Sequence, residues 1–289
     1  MNRVASIVSV KWLNTRLFSP NLRVIDASWH LPNTGRNARE EYVSKHIPDA
    51  QFFDIDECID KDSPYIHMMP STKEFEDYVG KLGINNHTHV VVYDNNEKFG
   101  TLSAPRVWWA FRAFGHTMVS ILDGGFPKWC QEHKPTTSKL ATCSPEKFTA
   151  AFNSSMVKYF DDIKENLSKK QFQLMDARPP GRFMGTDPEP RPSIKPGHIP
   201  GSVNIPFFSI MDPDSKLLKE KDGLQKMFTE AGIHLDKPVV ASCGSGVSAC
   251  CLVLAAHLCG NDNVPVYDGA WTEWFMRSKP EEREACPEK

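Results

Sequence analysis

Four short blocks of this 289-residue chain occur twice, in the same order. "VIDASW" (24–29) recurs as "LMDARP" (174–179), and "HIPDAQFFDI" (46–55) as "HIPGSVNIPF" (198–207). "HVVVYD" (89–94) recurs as "PVVASC" (238–243), and "LDGGFPKW" (122–129) as "YDGAWTEW" (267–274). The separation stays between 145 and 152 residues throughout. An internal repeat decides architecture before any local reading does, and here it implies two copies of one domain. The chain length suits two domains of ordinary size.

Within each copy, short β-branched runs alternate with longer helical patterns. "LRVIDA", "HVVVYD" and "MVSILDG" read as buried strands. "KEFEDYVGKLG" and "APRVWWAFRAFG" read as helices ending at Gly83 and Gly115, where a left-handed C-terminal glycine belongs. This alternation predicts an α/β fold: in each copy a parallel sheet flanked by helices on both faces. The expected division is 1–137 for the first domain, 138–158 for a Ser-, Thr- and Lys-bearing linker, and 159–289 for the second domain.

Composition narrows the function class. Hydrophobic residues make up 40% and charged residues 24%, and the formal net charge is -2. That balance argues against a strong nucleic-acid or anionic-membrane binder, which needs a basic surplus. No apolar run approaches the roughly 18 residues of a membrane span, and no secretory signal is read at the start. The first 25 residues carry Arg3, Lys11, Arg16 and Arg23 but no acid, as a mitochondrial presequence would. "SVKWLNTRLF" has helical spacing, however, and is assigned to the first domain. Eight cysteines, at 58, 130, 143, 243, 250, 251, 259 and 286, show no regular spacing and no CxxC pair. They read as reduced thiols, with no metal site expected. Cys250, Cys251, His257 and Cys259 crowd one predicted helix and read as core filling.

Cys243 stands apart. It ends a predicted strand, and "GSGVS" separates it from the next helix. Ligands of open α/β sheets bind at the carboxyl ends of strands. Backbone amides of Gly244, Ser245, Gly246, Val247 and Ser248 can turn toward one centre, and the helix N-terminus adds positive partial charge. Both favour negative charge at Cys243, the setting of a reactive cysteine. In the first copy the same position is Asp94, in a longer loop, so one active site per chain is expected.

Duplicated domains with "HIPG", "DGAWTEW" and the six-residue loop "CGSGVS" resemble the rhodanese superfamily, from about Trp12 to Pro280. The family loop ends in Thr where this chain has Ser248, which keeps the hydroxyl. The resemblance implies an enzyme that carries sulfur on Cys243 as a persulfide. It is closer to the branch that takes sulfur from 3-mercaptopyruvate than to the branch that uses thiosulfate. Thiosulfate-using relatives resemble one another in basic residues just after the cysteine; here Gly244 and Ser245 are neutral. A mono-anionic keto acid needs its cation at the carboxylate end instead, and the resemblance carries that role to Arg182 and Arg191. Arg178 is read as structural. The resemblance also implies a proton relay of Asp56, His67 and Ser245. His46 and His198 occur at the same place in both copies, which marks them as structural. A Tyr frequent before "SAPR" in the family is here Leu102, after Thr101, which puts a phenol contact there in doubt.

The acceptor implied by the resemblance is a thiol (thioredoxin-like or small) or cyanide. No metal or organic cofactor is expected, and the expected location is cytosolic or mitochondrial. A cysteine phosphatase would need a longer loop ending in Arg, and no Arg occurs between Cys243 and Gly260. Thiosulfate as the main donor, or a non-catalytic sulfur-binding module, are the alternatives.

Overall fold

The computed structural model of the protein describes residues 4–285. Arg3 and Cys286 lie outside the described residues. In the first copy the elements run β1 (Ile7–Val8), α1 (Val10–Asn14), β2 (Leu22–Asp26), α2 (Ala38–Ser44) and β3 (Gln51–Phe52). They continue as α3 (Thr72–Lys81), β4 (His89–Tyr93), α4 (Ala104–Ala113), β5 (Val119–Leu122) and α5 (Gly125–Gln131). The second copy repeats them as β6 (Val157–Lys158), α6 (Phe160–Lys169), β7 (Gln173–Asp176), α7 (Pro180–Met184) and β8 (Val203–Asn204). It ends with α8 (Lys221–Glu230), β9 (Val239–Ser242), α9 (Ala249–Leu258), β10 (Val266–Tyr267) and α10 (Ala270–Arg277).

Each copy forms a five-stranded sheet with all pairings parallel, ordered β1-β5-β4-β2-β3 and β6-β10-β9-β7-β8. The second order is the first with every strand replaced by its repeat. β4 and β9 are central, and Val90, Val91, Val92, Val239, Val240 and Ala241 are all buried. A central strand of a parallel sheet is covered on both faces, so it reads as a continuous apolar run. Ser71 and Glu74 form a capping box at the start of α3, and Gly83 follows its end at φ +69°. Gly115, at φ +84°, stands in the same relation to α4. The opening segment belongs to this core: Val10, Leu13 and Leu17 pack with Val24, Val91 and Trp129.

Two compact units result, residues 4–61, 69–153 and 211–218, and residues 62–68, 154–210 and 219–285. Two short segments therefore count with the unit opposite to their place in the chain. One is 62–68, which carries His67. The stretch 138–158 is divided too. Phe148 is buried in the first unit and Glu146 N–H bonds Gly80 O at 2.9 Å, whereas Val157–Lys158 is the edge strand of the second sheet.

Candidate active site

Cys243 follows the central strand β9 directly and is only 2% exposed. Its loop is fixed from below by the start of α10. Trp271 N–H donates to Cys243 O at 2.9 Å, and Thr272 N–H donates to Gly244 O at 3.0 Å. The Thr272 hydroxyl donates to the same Gly244 carbonyl at 2.7 Å. In a trans peptide the N–H points opposite to the C=O, and no cis bond occurs among the described residues. The amides of Gly244 and Ser245 therefore face away from α10. Gly246, at φ +78°, reverses the chain as only glycine does easily, and α9 begins at Ala249. Successive amides turned to one side and a helix N-terminus make a place for an anion.

The first copy shows such a cradle filled by its own side chain. Asp94 is buried at the end of β4, and its Oδ2 accepts from the amides of Leu102 (2.8 Å), Ser103 (2.6 Å) and Ala104 (2.8 Å). The hydroxyls of Thr101 and Ser103 add bonds of 3.1 and 3.2 Å. Phe126 N–H donates to Asp94 O at 2.9 Å, the counterpart of the Trp271 bond to Cys243. Pro127 stands where Thr272 does and has no N–H to give. Thr101 and Leu102 thus act on Asp94 at the position where the family often carries a phenol.

Arg182, on α7, lies directly against the cysteine loop. A Cβ built on Gly244 would come within 2.6 Å of its Nη2. That Nη2 donates to Glu189 Oε2 at 2.5 Å, while the buried Nε has no acceptor among the described residues. A guanidinium with a fork edge to spare is suited to a carboxylate. Arg178 is structural, as its sequence context implies. It is fully buried, bonds Asp176 through Nη2 (2.6 Å) and Nε (3.0 Å), and bonds Glu189 through Nη1 (2.9 Å). Burial works against its charge, but Asp176 and then Glu189 outweigh it and raise its pKa above the ordinary value. Its guanidinium also lies 4.8 Å over the Trp271 ring. Arg191 is half-buried, with its carbonyl accepting from Ile194 N–H at 3.1 Å.

His67 and Ser245, 178 residues apart in sequence, meet: Nδ1 lies 2.9 Å from the serine Oγ. Both are buried, and His67 sits in the left-handed region at φ +60°. Such backbone strain in a residue other than glycine concentrates at functional sites. Asp56 belongs to the first unit, is exposed, and accepts from Trp29 Nε1 at 3.1 Å. His46 and His198 are the matched pair the repeat implies. Their Nδ1 atoms lie 2.6 Å from Tyr42 O and 2.8 Å from Phe183 O, and their rings stack on Tyr42 and Phe183. Cys250 and Cys251 are buried in α9. Among the described residues, no three His, Cys, Asp or Glu side chains are grouped to hold a metal ion. No helix there is long and apolar enough to cross a membrane.

The rhodanese-like domain model matches residues 9–132 and 160–277, and the chain belongs to the rhodanese family. It is 52% identical to rat 3-mercaptopyruvate sulfurtransferase over 280 residues, 96% of this chain and 94% of the relative. It is 49% identical to rat thiosulfate sulfurtransferase over 283 residues, with the same coverage. The crystal structure of SseA from Escherichia coli, a 3-mercaptopyruvate sulfotransferase of rhodanese fold, aligns with TM-score 0.82 and 37% identity over 93% of this chain and 99% of that one. Within the family, then, this chain is an enzyme of sulfur transfer.

Two features of the site left no readable signal. Glu189 is one acid in "TDPEPR", seven residues from one partner and eleven from the other. Thr272 is an ordinary polar residue in the first turn of a helix, and only the contact with Gly244 shows its use.

Proposed function

We propose that the protein takes sulfur from 3-mercaptopyruvate onto Cys243 and passes it to a thiol or to cyanide. The observation that carries this reading is the Arg182 guanidinium pressed against Gly244, beside a loop whose other residues are uncharged. Arg182, with Arg191, would bind the carboxylate and ketone oxygen of the donor. The Cys243 sulfur attacks the donor sulfur, an S–S bond forms and the C–S bond breaks. The electron pair moves into the adjacent carbonyl as the enolate of pyruvate, which takes a proton on carbon. Ser245 and His67, 2.9 Å apart, are the groups to hand that proton on. The persulfide left on Cys243 is stabilised by the loop amides and the α9 N-terminus. A thiolate then attacks the outer sulfur and releases Cys243, in the two-stage pattern of covalent catalysis. No metal or organic cofactor is called for. A thioredoxin-like dithiol or a small thiol serves as acceptor, in the cytosol or the mitochondrion.

The test is incubation with 3-mercaptopyruvate, with pyruvate release and intact mass followed together. Pyruvate and a mass gain of one sulfur, both absent in Cys243→Ser, are expected. No pyruvate and no gain would sink the reading. Arg182→Gly is expected to impair 3-mercaptopyruvate far more than thiosulfate, and equal loss with both would count against the carboxylate clamp.

A further inference from the structure

We propose that Glu189 is a positioning residue that aims Arg182 at the cysteine loop and sets the donor charge the site accepts. The inference rests on the reading of Arg182 given above. Glu189 is 4% exposed at its side chain and uses one oxygen for each arginine, Oε1 for Arg178 and Oε2 for Arg182. Arg178 is itself anchored by Asp176 and by Gly197 O at 2.7 Å. Glu189 therefore ties the movable guanidinium to an immovable one. Through this tie Arg182 Nη2 is engaged while Nε stays open. The alternative rotation, with Nε on the glutamate, would turn the open edge of the fork elsewhere.

Charge balance is set by the same contacts. Arg178, Arg182, Asp176 and Glu189 form a cluster of two cations and two anions. The Arg182 charge beside the loop is thus offset, which suits a mono-anion better than a dianion. The first copy supports the assignment by contrast. Tyr42 and Phe183 are matched by their histidine stacking, so the residue preceding each is matched too, Glu41 and Arg182. Glu41 takes its own arginine, with Arg36 Nε and Nη2 at 2.7 and 2.6 Å, and also Asn95 at 2.9 Å, next to Asp94. In each copy the residue beside the strand-end loop is held by a partner of opposite charge, and only the second copy leaves a cation there.

Glu189→Gln and Glu189→Asp separate aim from charge. The glutamine keeps size and an acceptor but leaves one uncompensated positive charge. The aspartate keeps the charge on a shorter arm. Steady-state kcat/KM is measured for both variants with 3-mercaptopyruvate and with thiosulfate, with cyanide as acceptor, alongside thermal unfolding. For Glu189→Gln the ratio of thiosulfate to 3-mercaptopyruvate efficiency should rise about tenfold, as one added charge acting across about 10 Å at an effective dielectric near 20 implies. For Glu189→Asp the ratio should stay within about twofold of the native one, even as both efficiencies fall. A role in folding alone would lower both donors in parallel. Parallel loss in Glu189→Gln, an equal ratio shift in Glu189→Asp, or failure of both variants to fold would each overturn the proposal. Absence of pyruvate release by the native enzyme would instead defeat the donor assignment, and Glu189 would then be read from thiosulfate alone, with kcat/KM for thiosulfate expected to rise in Glu189→Gln and an unchanged or lower value overturning the proposal.

Discussion

The loop after β4 and the loop after β9 solve the same backbone problem to different ends. Both leave a central parallel strand, and in both the first residue's carbonyl is tied to the helix beyond the next strand, α5 for Asp94 and α10 for Cys243. In the first copy, three amides and two hydroxyls close on Asp94 Oδ2. That cradle is filled through Oδ2, while the buried Oδ1 has no hydrogen-bond partner among the described residues. In the second, a thiol stands where the carboxylate would be, so the anion the cradle suits is one that chemistry must create. The same strand end thus carries a carboxylate held by its own loop in one copy and a thiol in the other, and a catalytic role for that thiol belongs to the proposal above.

The largest effect expected is on the catalytic side. Cys243→Ser removes sulfur transfer altogether, read as loss of both pyruvate and bound sulfur, with little change in unfolding temperature. The mirror experiment, Asp94→Ala, should spare the sulfur chemistry and strike stability. It strands five donors in a buried place. A loss of about 3–5 kcal/mol in the first unit is expected by analogy with removing one member of a buried charged network. Calorimetry reads it, with the two units followed as separate transitions. A mild Asp94→Ala would break the comparison between the loops.

A second contrast lies two residues after Asp26 and Asp176. Asp176 has the Arg178 guanidinium; Asp26 has Ser28, whose N–H donates at 2.9 Å and whose hydroxyl lies at 2.5 Å. Burial pushes the Asp26 carboxyl up from 3.8 to about 6, and the bonds from Ser28 pull back only in part. Folding therefore tightens proton binding there. The stability this group gives is complete below its ordinary pKa of 3.8 and is lost as pH rises through about 6. Asp26→Asn should flatten the stability profile over that interval, by up to about 3 kcal/mol, since a tenfold change in proton affinity is worth about 1.4 kcal/mol. An unchanged slope in urea unfolding at a series of pH values would disprove it.

Smaller effects sharpen the site. Gly244→Ala drives its Cβ into the Arg182 guanidinium, the far end of a long side chain held by Glu189, so the arginine is displaced from that tie. A displacement of that order should lower kcat/KM for 3-mercaptopyruvate by about 10- to 100-fold, with the unfolding temperature nearly unchanged. Thr272→Val is the mildest. It removes the hydroxyl bond to Gly244 O but keeps the backbone one, and a loss of about 1 kcal/mol or less, read as a fewfold slower turnover, is expected.

The duplication, the parallel α/β class, the place of Cys243 and the structural reading of Arg178, His46 and His198 were all legible from residues alone. Each is written in local signals: repeated blocks, apolar runs, a glycine-rich turn at a strand end. The meeting of His67 with Ser245 came from family resemblance and not from spacing, because 178 residues separate them. Segment 62–68 also counts with the second unit, although it lies in the first copy's sequence. Nothing local marks that, since compactness depends on contacts made after the chain folds.

Two copies of one parallel α/β domain, with the candidate cysteine in one copy and an aspartate at the matching place in the other, are readable from the residues alone. Periodicity and repetition are properties of a line, and a line displays them. Only the tertiary structure decided which polar groups share a buried charge: Glu189 between Arg178 and Arg182, Thr272 under Gly244, and the amides of 102–104 around Asp94. Buried polar groups must find partners, and the partner each finds is set by packing in three dimensions, where neighbours in space are strangers in sequence.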